Sequence, residues 1–344
     1  MNPRNYIIDQ INHKETDLVP YTLSFEGDVE KHLDEYYGNT QWRDGLQKFL
    51  QRVSVVETMK KTSMDKPGHE VDLFGTEWRT DLRPFRLERP ALENPTFERY
   101  RWPEPAEFFK EDDAVAEARV AAATAKEDNF VVAYLGWGLF ETGWGIRGFE
   151  NIMMDIALNP AFYEELLDRV TEQFLAYIDF TCKSLPDADA IMFGDDWGHQ
   201  RGVMAGPDRW RELFKPRYKR IYDAVHSRGM LTMSHCCGSV IDIMPDIIEI
   251  GLDVLESVQP EARGMNPYEL KKQYGKDIAF WGCLGSQTTI PFGTPNEIKT
   301  EVERLKNEMA VGGGYILAPA KALQPGTPVE NAAAVVESFM WGSM

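Results

Sequence analysis

The chain has 344 residues, of which 43% are hydrophobic and 27% are charged, and its formal net charge is −18. This size and composition exclude a disordered or fibrous chain and allow two domains or one large α/β barrel. The negative charge argues against nucleic acid and anionic membranes as partners, because both are bound through clustered Lys and Arg. We therefore expect the partner to be a small molecule or another protein.

Residues 1–6 contain no apolar signal region, and no stretch approaches the ~18 apolar residues that a membrane span needs. We therefore expect a cytoplasmic protein. Its four cysteines, Cys182, Cys236, Cys237 and Cys283, are spread along the chain without a secretory signal, which argues against a disulfide framework. They are expected to be thiols available for metal binding or chemistry.

From about residue 186 onward, short apolar runs alternate with longer amphipathic segments, a pattern typical of βα units around a parallel sheet, while the first half is less regular. Residues 71–79 predict an irregular or hairpin strand, and the segment around 80–110, rich in Pro, Glu and Arg, predicts an excursion over the surface. In chain order, buried strands are predicted at residues 19–25, 130–135, 190–193, 230–234, 252–258, 278–282 and 315–318.

Two helix starts are well marked in the second half of the chain. Thr294-Pro295-Asn296-Glu297 and Thr327-Pro328-Val329-Glu330 each offer an N-cap Thr, Pro at the first helical position and Glu at the third. No repeat or linker is visible, so we expect residues 1–344 to form a single domain. Sequential βα units over this length predict a (β/α)8 TIM-type barrel with its active site at the C-terminal ends of the strands.

A barrel predicts that reactive residues gather at the ends of its strands. Helix N-caps lie in the same position and supply Asp and Ser, but a succession of His, Cys, Glu, Cys and Lys is not explained by capping. The residues found there are Glu26, Asp28, Asp195, Asp196, Trp197, His199, Gln200, His235, Cys237, Glu256, Gln259, Cys283, Gln287, Lys321 and Gln324. We expect one wide, uncovered cavity on which the following converge: Glu26, Asp195, His235, Glu256, Cys283 and Lys321.

The pair His235 and Cys237 is a candidate metal site. Residues two apart in an extended segment point to the same side, and imidazole and thiolate are both favoured zinc ligands. Two ligands do not complete a site, and Cys283, which lies between two glycines, is a candidate third. The alternative is a hydrogen-bonded core histidine with cysteines that act as small buried hydrophobes.

Asp195 and Asp196 are adjacent at a strand end, so their side chains alternate and only one can face the barrel mouth. That carboxylate could bind substrate, act as a base or join a metal shell, while the other caps or braces a loop. Both could also be ordinary loop residues. Lys321 follows the last strand, where it could hold an anionic group or simply face solvent.

Glu141 and Arg147 lie among aromatic residues and could form a substrate clamp or an ordinary structural ion pair. Tryptophans near strand ends, Trp137, Trp144, Trp197 and Trp281, could line an apolar pocket, although core packing explains such residues equally well. Beside the residues with catalytic chemistry, we expect substrate contacts from Glu26, Trp137, Trp197, His199, Gln259 and Gln287.

Four segments together resemble the uroporphyrinogen decarboxylase superfamily: Gly194-Asp195-Asp196-Trp197-Gly198-His199-Gln200, Ser234-His235-Cys236-Cys237-Gly238-Ser239, Gly293-Thr294-Pro295-Asn296-Glu297 and residues 312–319. The resemblance covers most of the chain and is strongest from about Glu141 onward. It implies a barrel that supports one of two activities. These are decarboxylation of uroporphyrinogen and zinc-dependent methyl transfer to or from corrinoid proteins.

Two departures from the family patterns distinguish these branches. The decarboxylase branch has a basic Met-Arg-Gln-Ala-Gly signature near its N-terminus, whereas this chain has an acidic segment there, residues 21–28. The methyltransferase branch uses His-x-Cys and a distant Cys after the last strand. His235 and Cys237 match the first part, but Lys321 occupies the place of the distant Cys. A zinc shell would therefore need Cys283, Glu256 or Asp195.

The resemblance favours a methyltransferase that moves a methyl group from a small methylated donor, such as an aromatic methyl ether, to a corrinoid protein. Zinc would be the cofactor, the corrinoid would be carried by the partner protein, and the chain could form a homodimer. A second hypothesis is a decarboxylase of a small acid, with Arg147 or Lys321 binding the carboxylate and Asp195 or Asp196 assisting proton delivery. A third is a non-catalytic barrel subunit, suggested by the missing Cys.

Overall fold

A parallel seven-stranded sheet forms the centre of the computed structural model, which describes residues 2–82 and 85–340. Its strands pair in the order in which they occur along the chain, so strands that follow one another in this set are also neighbours in space. The strands of this sheet are β1 (Leu50–Val53), β6 (Phe130–Trp137), β7 (Ala190–Gly194), β10 (Leu231–His235), β11 (Val254–Val258), β12 (Ala279–Leu284) and β13 (Tyr315–Pro319). All six predicted segments from residue 130 onward are confirmed as strands.

The register brings the C-terminal ends of these strands to one edge. His235 lies beside Gly194 on β7 and beside Glu256 on β11. Because the strands are parallel, the loops that follow them share this edge, as the positions of the reactive residues predicted.

The segment predicted as the first strand, residues 19–25, lies beside β13 but forms isolated bridges there and no regular strand. Tyr21 pairs in parallel with Leu317 on β13, and Phe25 pairs in parallel with Leu323 in the loop after this strand. The N–H of Thr22 donates to the Leu317 carbonyl at 2.9 Å. The parallel sheet of α/β type is thus confirmed for seven strands with this segment beside the last one, while a closed ring of eight strands stays a prediction.

Helices and 3₁₀ turns connect and cover the strands. Thr294 forms the predicted capping box with Glu297 at the start of α12. Among the residues placed by the structure, no helix is both long and apolar enough to cross a membrane. The helices are α1 (Pro3–Ile11), α2 (Val29–Tyr37), α3 (Asp112–Ala125), α4 (Leu139–Arg147), α5 (Phe149–Leu158), α6 (Pro160–Ser184), α7 (Pro207–Leu213), α8 (Lys215–His226), α9 (Met244–Glu249), α10 (Pro267–Tyr274), α11 (Thr289–Phe292), α12 (Pro295–Met309) and α13 (Val329–Met340).

A second sheet of four antiparallel strands precedes β6 in the chain, and its strands also pair in chain order. The segment 71–79 is a hairpin within it, which confirms the second of the two predicted forms. The predicted excursion around 80–110 contains β5 and buries Leu92 and Phe108 in the main core, so it is anchored there. Residues 83 and 84 of this excursion lie outside the described part. The strands of this sheet are β2 (Lys61–Ser63), β3 (His69–Asp72), β4 (Glu77–Arg79) and β5 (Arg86–Arg89), and a small ribbon is formed by β8 (Gly198–His199) and β9 (Gly202–Val203).

The sequence prediction omitted β1, and this is a correction to the list of strands. Its sequence, Leu50-Gln51-Arg52-Val53, has two polar residues in the middle and lacks an apolar run. Pairing with the mostly buried β6, at Leu50 with Phe130, holds the segment in the sheet. Local propensity was overridden here by tertiary pairing.

Candidate active site

Three side chains at the C-terminal edge of the sheet form a group with metal-ligand chemistry. The ligand atoms of Asp196, His235 and Cys237 all lie within 4.8 Å of one another. The Nε2 atom of His235 is 3.2 Å from Sγ of Cys237 and 3.8 Å from Oδ1 of Asp196. The expected His-x-Cys pair is therefore brought together, and it is joined by the second residue of the Asp195-Asp196 pair.

Close backbone packing positions this group. A Cβ atom added to Gly238, which has a φ of +81°, would lie 2.8 Å from the carbonyl carbon of Gly198. Only glycines at both positions allow the loops after β7 and β10 to approach so closely. The contact brings the N–H of Cys237 to Oδ1 of Asp196, to which it donates at 2.8 Å.

Glu256 orients the histidine. Its Oε2 atom lies 2.5 Å from Nδ1 of His235, the ring nitrogen opposite the one that faces Cys237. Burial lowers the pKa of His235, but the Glu256 carboxylate and Cys237 outweigh burial and raise it. A predicted metal ligand is thus placed behind the imidazole, where it fixes the ring and strengthens Nε2 as a ligand.

The donor set fits a zinc ion. Tetrahedral zinc, with bonds of about 2.0 to 2.3 Å, separates its ligand atoms by roughly 3.3 to 3.6 Å. The separations from Nε2 of His235, 3.2 and 3.8 Å, lie close to this range, and all three ligand atoms lie within 4.8 Å of one another. One imidazole, one thiolate and one carboxylate make a three-residue set that leaves a fourth position for a substrate atom.

Cys283 is not brought to this group. Cys283 is 1% exposed, and the neighbouring Tyr315 hydroxyl donates to the Gly282 carbonyl at 3.1 Å. Burial raises the pKa of this thiol well above its usual range, which disfavours the thiolate that a metal needs. The structure therefore places Cys283 in the packing behind the sheet.

Asp195 braces a helix and does not reach the mouth. It is fully buried, and its carboxylate accepts hydrogen bonds from the backbone N–H groups of Phe140 and Glu141 at 2.9 and 2.7 Å. These are donors of the first turn of α4, left without partners inside the helix. Trp197 and Tyr218 donate to the same carboxylate. The expected division between the two aspartates is observed, and Asp195 has the bracing role.

Glu141 sits at the start of α4, close to the metal-ligand group. Burial raises the pKa of its carboxyl to about 8, helped by the nearby charges of Asp195 and Asp196. A Cβ atom added to Gly194 would lie 3.6 Å from Cβ of His235 and 3.7 Å from Oε2 of Glu141, so the two side chains are close to each other. At neutral pH Glu141 therefore holds a proton beside the site.

Two cavities open at this edge. The first, called here the arginine cavity, has a volume of about 250 Å³ and is lined by Glu26, Arg52, Tyr134, Met192, His235, Glu256, Trp281, Lys321 and small residues of the β13 end. Nζ of Lys321 lies 3.9 Å from Oε1 of Glu26, so this ammonium has an acidic partner. Four of the six residues expected to converge on one cavity meet here.

The second cavity, called here the amide cavity, has a volume of about 300 Å³. Cys237 lines it, and Lys321 lines both cavities. The Nε2 atom of Gln259 is buried and has no hydrogen-bond partner among the described residues. The predicted substrate contacts His199, Gln259 and Gln287 are brought together here with Gln200 and Gln324.

Three other residues that were predicted to belong to the site, Arg147, Trp197 and Trp137, instead stabilise the fold. Arg147 is 4% exposed, pairs with Asp155 at 2.8 Å and donates to the Leu92 and Glu93 carbonyls, so it anchors the excursion and is not a substrate clamp. Its buried ion pair is the ordinary alternative stated above.

Two tryptophans are likewise corrected. Trp197 is 2% exposed and donates its indole N–H to Asp195 at 2.8 Å. Trp137 packs on Trp144 and Trp78 with ring centroids 5.0 and 5.8 Å apart, and it lines neither of the two cavities. Their apolar area is used for packing, which leaves Trp281 as the expected tryptophan that does face the mouth.

The sequence prediction missed Arg52 and Tyr134. Both lie on sheet strands, at β1 and β6, and their side chains face the arginine cavity. The guanidinium carbon of Arg52 lies 5.8 Å from the ring centroid of Tyr134 and 5.5 Å from that of Trp281. No strand was predicted over residues 50–53, so the sequence carried no signal that Arg52 faces this edge of the sheet.

The chain matches known proteins over its second half most clearly. A family model described as uroporphyrinogen decarboxylase (URO-D) matches residues 137–340. A methylcobamide:CoM methyltransferase, MtaA, of Methanosarcina barkeri is 30% identical over 178 residues, which are 51% of this chain and 47% of the relative. A uroporphyrinogen decarboxylase of Syntrophotalea carbinolica is 26% identical over 199 residues, 57% of this chain and 53% of the relative. The chain thus spans about half the length of these curated relatives.

Among solved structures, a methyltransferase from Methanosarcina mazei is similar to this protein. The alignment covers 98% of this chain and 98% of that chain, with a TM-score of 0.71 and 21% sequence identity. That similarity shows a shared fold. The relatives include both methyltransferases and decarboxylases, the two activities that the motifs implied. Since the family model covers more than half of the sequence, this chain belongs to the uroporphyrinogen decarboxylase family.

Proposed function

We propose that this protein is a methyltransferase that moves a methyl group from a small methylated donor to a corrinoid protein. The observation that carries the proposal is the group of Asp196, His235 and Cys237, a metal-ligand set that borders two cavities. His235 lines one cavity and Cys237 the other, so a centre held by both is open to two reactants. The methyltransferase relatives support the same reaction class.

Asp196, His235 and Cys237 would hold a zinc ion. The N–H at Nδ1 of His235 donates to Glu256, which leaves the lone pair of Nε2 for the metal. One thiolate and one carboxylate balance the two positive charges of the ion. When bound, zinc supplies Lewis acidity that stabilises the negative charge left on the donor oxygen or sulfur as the methyl group departs.

The two cavities suit the two reactants. Tyr134 and Trp281 give the arginine cavity aromatic walls, which fit a small methylated donor such as an aromatic methyl ether. The amide cavity lies on the Cys237 side and is the entry proposed for the corrinoid of the partner protein. Methyl transfer needs the attacking atom on the side of the methyl carbon away from the leaving atom, so two approaches to one centre are required.

Glu141 is proposed as the acid of the reaction. Its raised pKa, about 8, keeps a proton on the carboxyl at neutral pH. The oxygen or sulfur that loses its methyl group gains an electron pair and can take this proton. A carboxylate with an ordinary pKa would have no proton to give at that pH.

The test combines metal analysis with a methyl-transfer assay. Purified protein is expected to contain one zinc per chain and to methylate reduced cobalamin from a methylated donor, followed by the absorbance of the corrinoid. Cys237→Ser should lose both zinc and transfer. Cys182→Ser, a buried thiol on α6 away from the group, is the matched control and should keep both.

Turnover by metal-free protein, with an active Cys237→Ser variant, would contradict the proposal. Decarboxylation of a small acid is the second candidate, because Arg52 and Lys321 provide cations in the arginine cavity. Release of carbon dioxide from small acids without any corrinoid would favour it. A protein that binds neither zinc nor small ligands would instead be a non-catalytic barrel subunit.

A further inference from the structure

Arg52 projects from β1 into the mouth of the sheet. Its guanidinium carbon lies 5.8 Å from the Tyr134 ring and 5.5 Å from the Trp281 ring, two aromatic side chains on strands that are not neighbours. Stacking on aromatic faces holds a guanidinium in place and leaves its N–H edge free. The side chain is thus positioned without its donors being used.

The two carboxylates that line the arginine cavity have partners other than Arg52. Glu256 pairs with His235 at 2.5 Å, and Glu26 lies 3.9 Å from the ammonium of Lys321. Within residues 2–82 and 85–340, Arg52 has no carboxylate at ion-pair distance and donates no side-chain hydrogen bond to the protein. The N–H donors of its guanidinium are therefore available to an anionic group of a ligand.

We propose that Arg52 binds an oxyanion, such as a carboxylate or sulfonate, carried by the methyl donor, so that the substrate is a small acid. This inference rests on the proposed function and names the class of its donor. A planar guanidinium offers two parallel N–H donors to a planar or tetrahedral oxyanion, and a bidentate contact fixes orientation as well as affinity.

The dimensions and the charge arrangement favour a small monoanion. The cavity volume of about 250 Å³ lies below the range of about 300 to 1,000 Å³ typical of pockets for drug-sized ligands. His235 lines the same cavity, so an acid held by Arg52 would lie beside the metal-ligand group. Arg52 would therefore orient the donor: its acidic end would bind the guanidinium, and the opposite end would carry the methyl group.

The experiment compares acids with their neutral amides. Calorimetric titration would use 4-methoxybenzoate against 4-methoxybenzamide, 3-methoxypropionate against its amide, and 3-(methylthio)propionate against its amide. For at least one pair, the acid should bind the wild-type protein about tenfold more tightly than the amide, as expected for a charge-assisted contact. Arg52→Gln should reduce this ratio to about one by weakening acid binding alone, and Arg52→Lys should retain an intermediate ratio.

Arg304→Gln is the matched control. Arg304 also stacks on a tyrosine, with its guanidinium carbon 3.7 Å from the Tyr268 ring centroid, but it lies on α12 and does not line the cavity. This variant should keep the wild-type ratio. An acid-to-amide ratio that is unchanged in Arg52→Gln, or an absence of binding by all three acids at millimolar concentration, would overturn the proposal.

The binding readout separates this inference from the methyltransferase proposal. The titrations need neither a corrinoid nor turnover, and they can be repeated after zinc is removed with a chelator. Arg52-dependent binding of an acid in a protein that transfers no methyl group would support the anion site and refute the proposed reaction. Methyl transfer from neutral donors that is unchanged in Arg52→Gln would support the proposed reaction and refute the anion site.

Discussion

The Oε2 atom of Glu256 lies 2.5 Å from Nδ1 of His235, on the side of the ring away from Cys237. This relationship fixes which nitrogen of the imidazole faces the metal-ligand group. A histidine that is held in one tautomer by a carboxylate is a better metal ligand than one that is free to turn. Glu256 therefore acts on the site through His235.

Replacing Glu256 with Gln should weaken zinc binding. The variant keeps the size of the side chain but loses its charge, so zinc affinity should fall by about 10- to 100-fold. Competition with a chromophoric chelator measures the dissociation constant. Glu35→Gln, an exposed glutamate on α2 whose partner is Lys31, should bind zinc like the wild type. Equal affinities for wild type and Glu256→Gln would show that the contact does not support the ligand.

Asp196 is expected to be the third protein ligand. Asp196→Ala should lose zinc during dialysis, whereas Asp196→Cys should retain about one ion per chain, because thiolate is also a zinc ligand of suitable reach. Elemental analysis of the dialysed variants measures the stoichiometry. Retention of zinc by Asp196→Ala at the wild-type affinity would assign the third ligand elsewhere.

Asp195 is expected to contribute to stability. Asp195→Ala leaves the N–H groups of Phe140 and Glu141 and the donors of Trp197 and Tyr218 without their shared buried acceptor. The free energy of unfolding should fall by about 3 kcal/mol, since each orphaned buried donor costs free energy. Urea unfolding followed by circular dichroism measures it. Asp208→Ala, whose side chain is 97% exposed, should change stability by under about 0.5 kcal/mol.

Glu141 should make stability fall as pH rises through the weakly acidic and neutral range. Burial raises the pKa of its carboxyl from 4.5 to about 8 in the folded protein, so between these values the folded state holds a proton that the unfolded state releases. Unfolding is then favoured by increasing pH, and the lost stability should amount to a few kcal/mol.

Urea titrations of chelator-treated protein at pH 5, 6.5 and 8 would test this dependence. Glu141→Gln has no proton to exchange, so its free energy of unfolding should change less over the same range. A variant with the same pH slope as the wild type would show that the folded carboxyl has an ordinary pKa. In transfer assays, the same variant should lose activity at neutral pH, because the proposed proton donor is gone.

The sequence by itself determined the strands from residue 130 onward and the edge at which the chemistry gathers. Both follow from local signals. Apolar runs of strand length specify buried parallel strands, and parallel strands of βα units place their C-terminal ends on one side. His235 and Cys237 share a direction because residues two apart in an extended segment must do so. These inferences needed no knowledge of distant contacts.

Only the tertiary structure decided which of the other reactive residues join them. Which of Asp195 and Asp196 joins the metal-ligand group depended on α4, because backbone N–H groups in the first turn of this helix donate to the Asp195 carboxylate. The place of Cys283 behind the sheet and the role of Glu256 behind His235 depended on their neighbours in space. Arg52 could not be assigned at all, because its strand forms only by pairing with β6 and its aromatic partners are distant in sequence. Periodicity specifies the direction of a side chain within its own element, whereas the identity of what it meets is set by the packing of elements that are far apart along the chain.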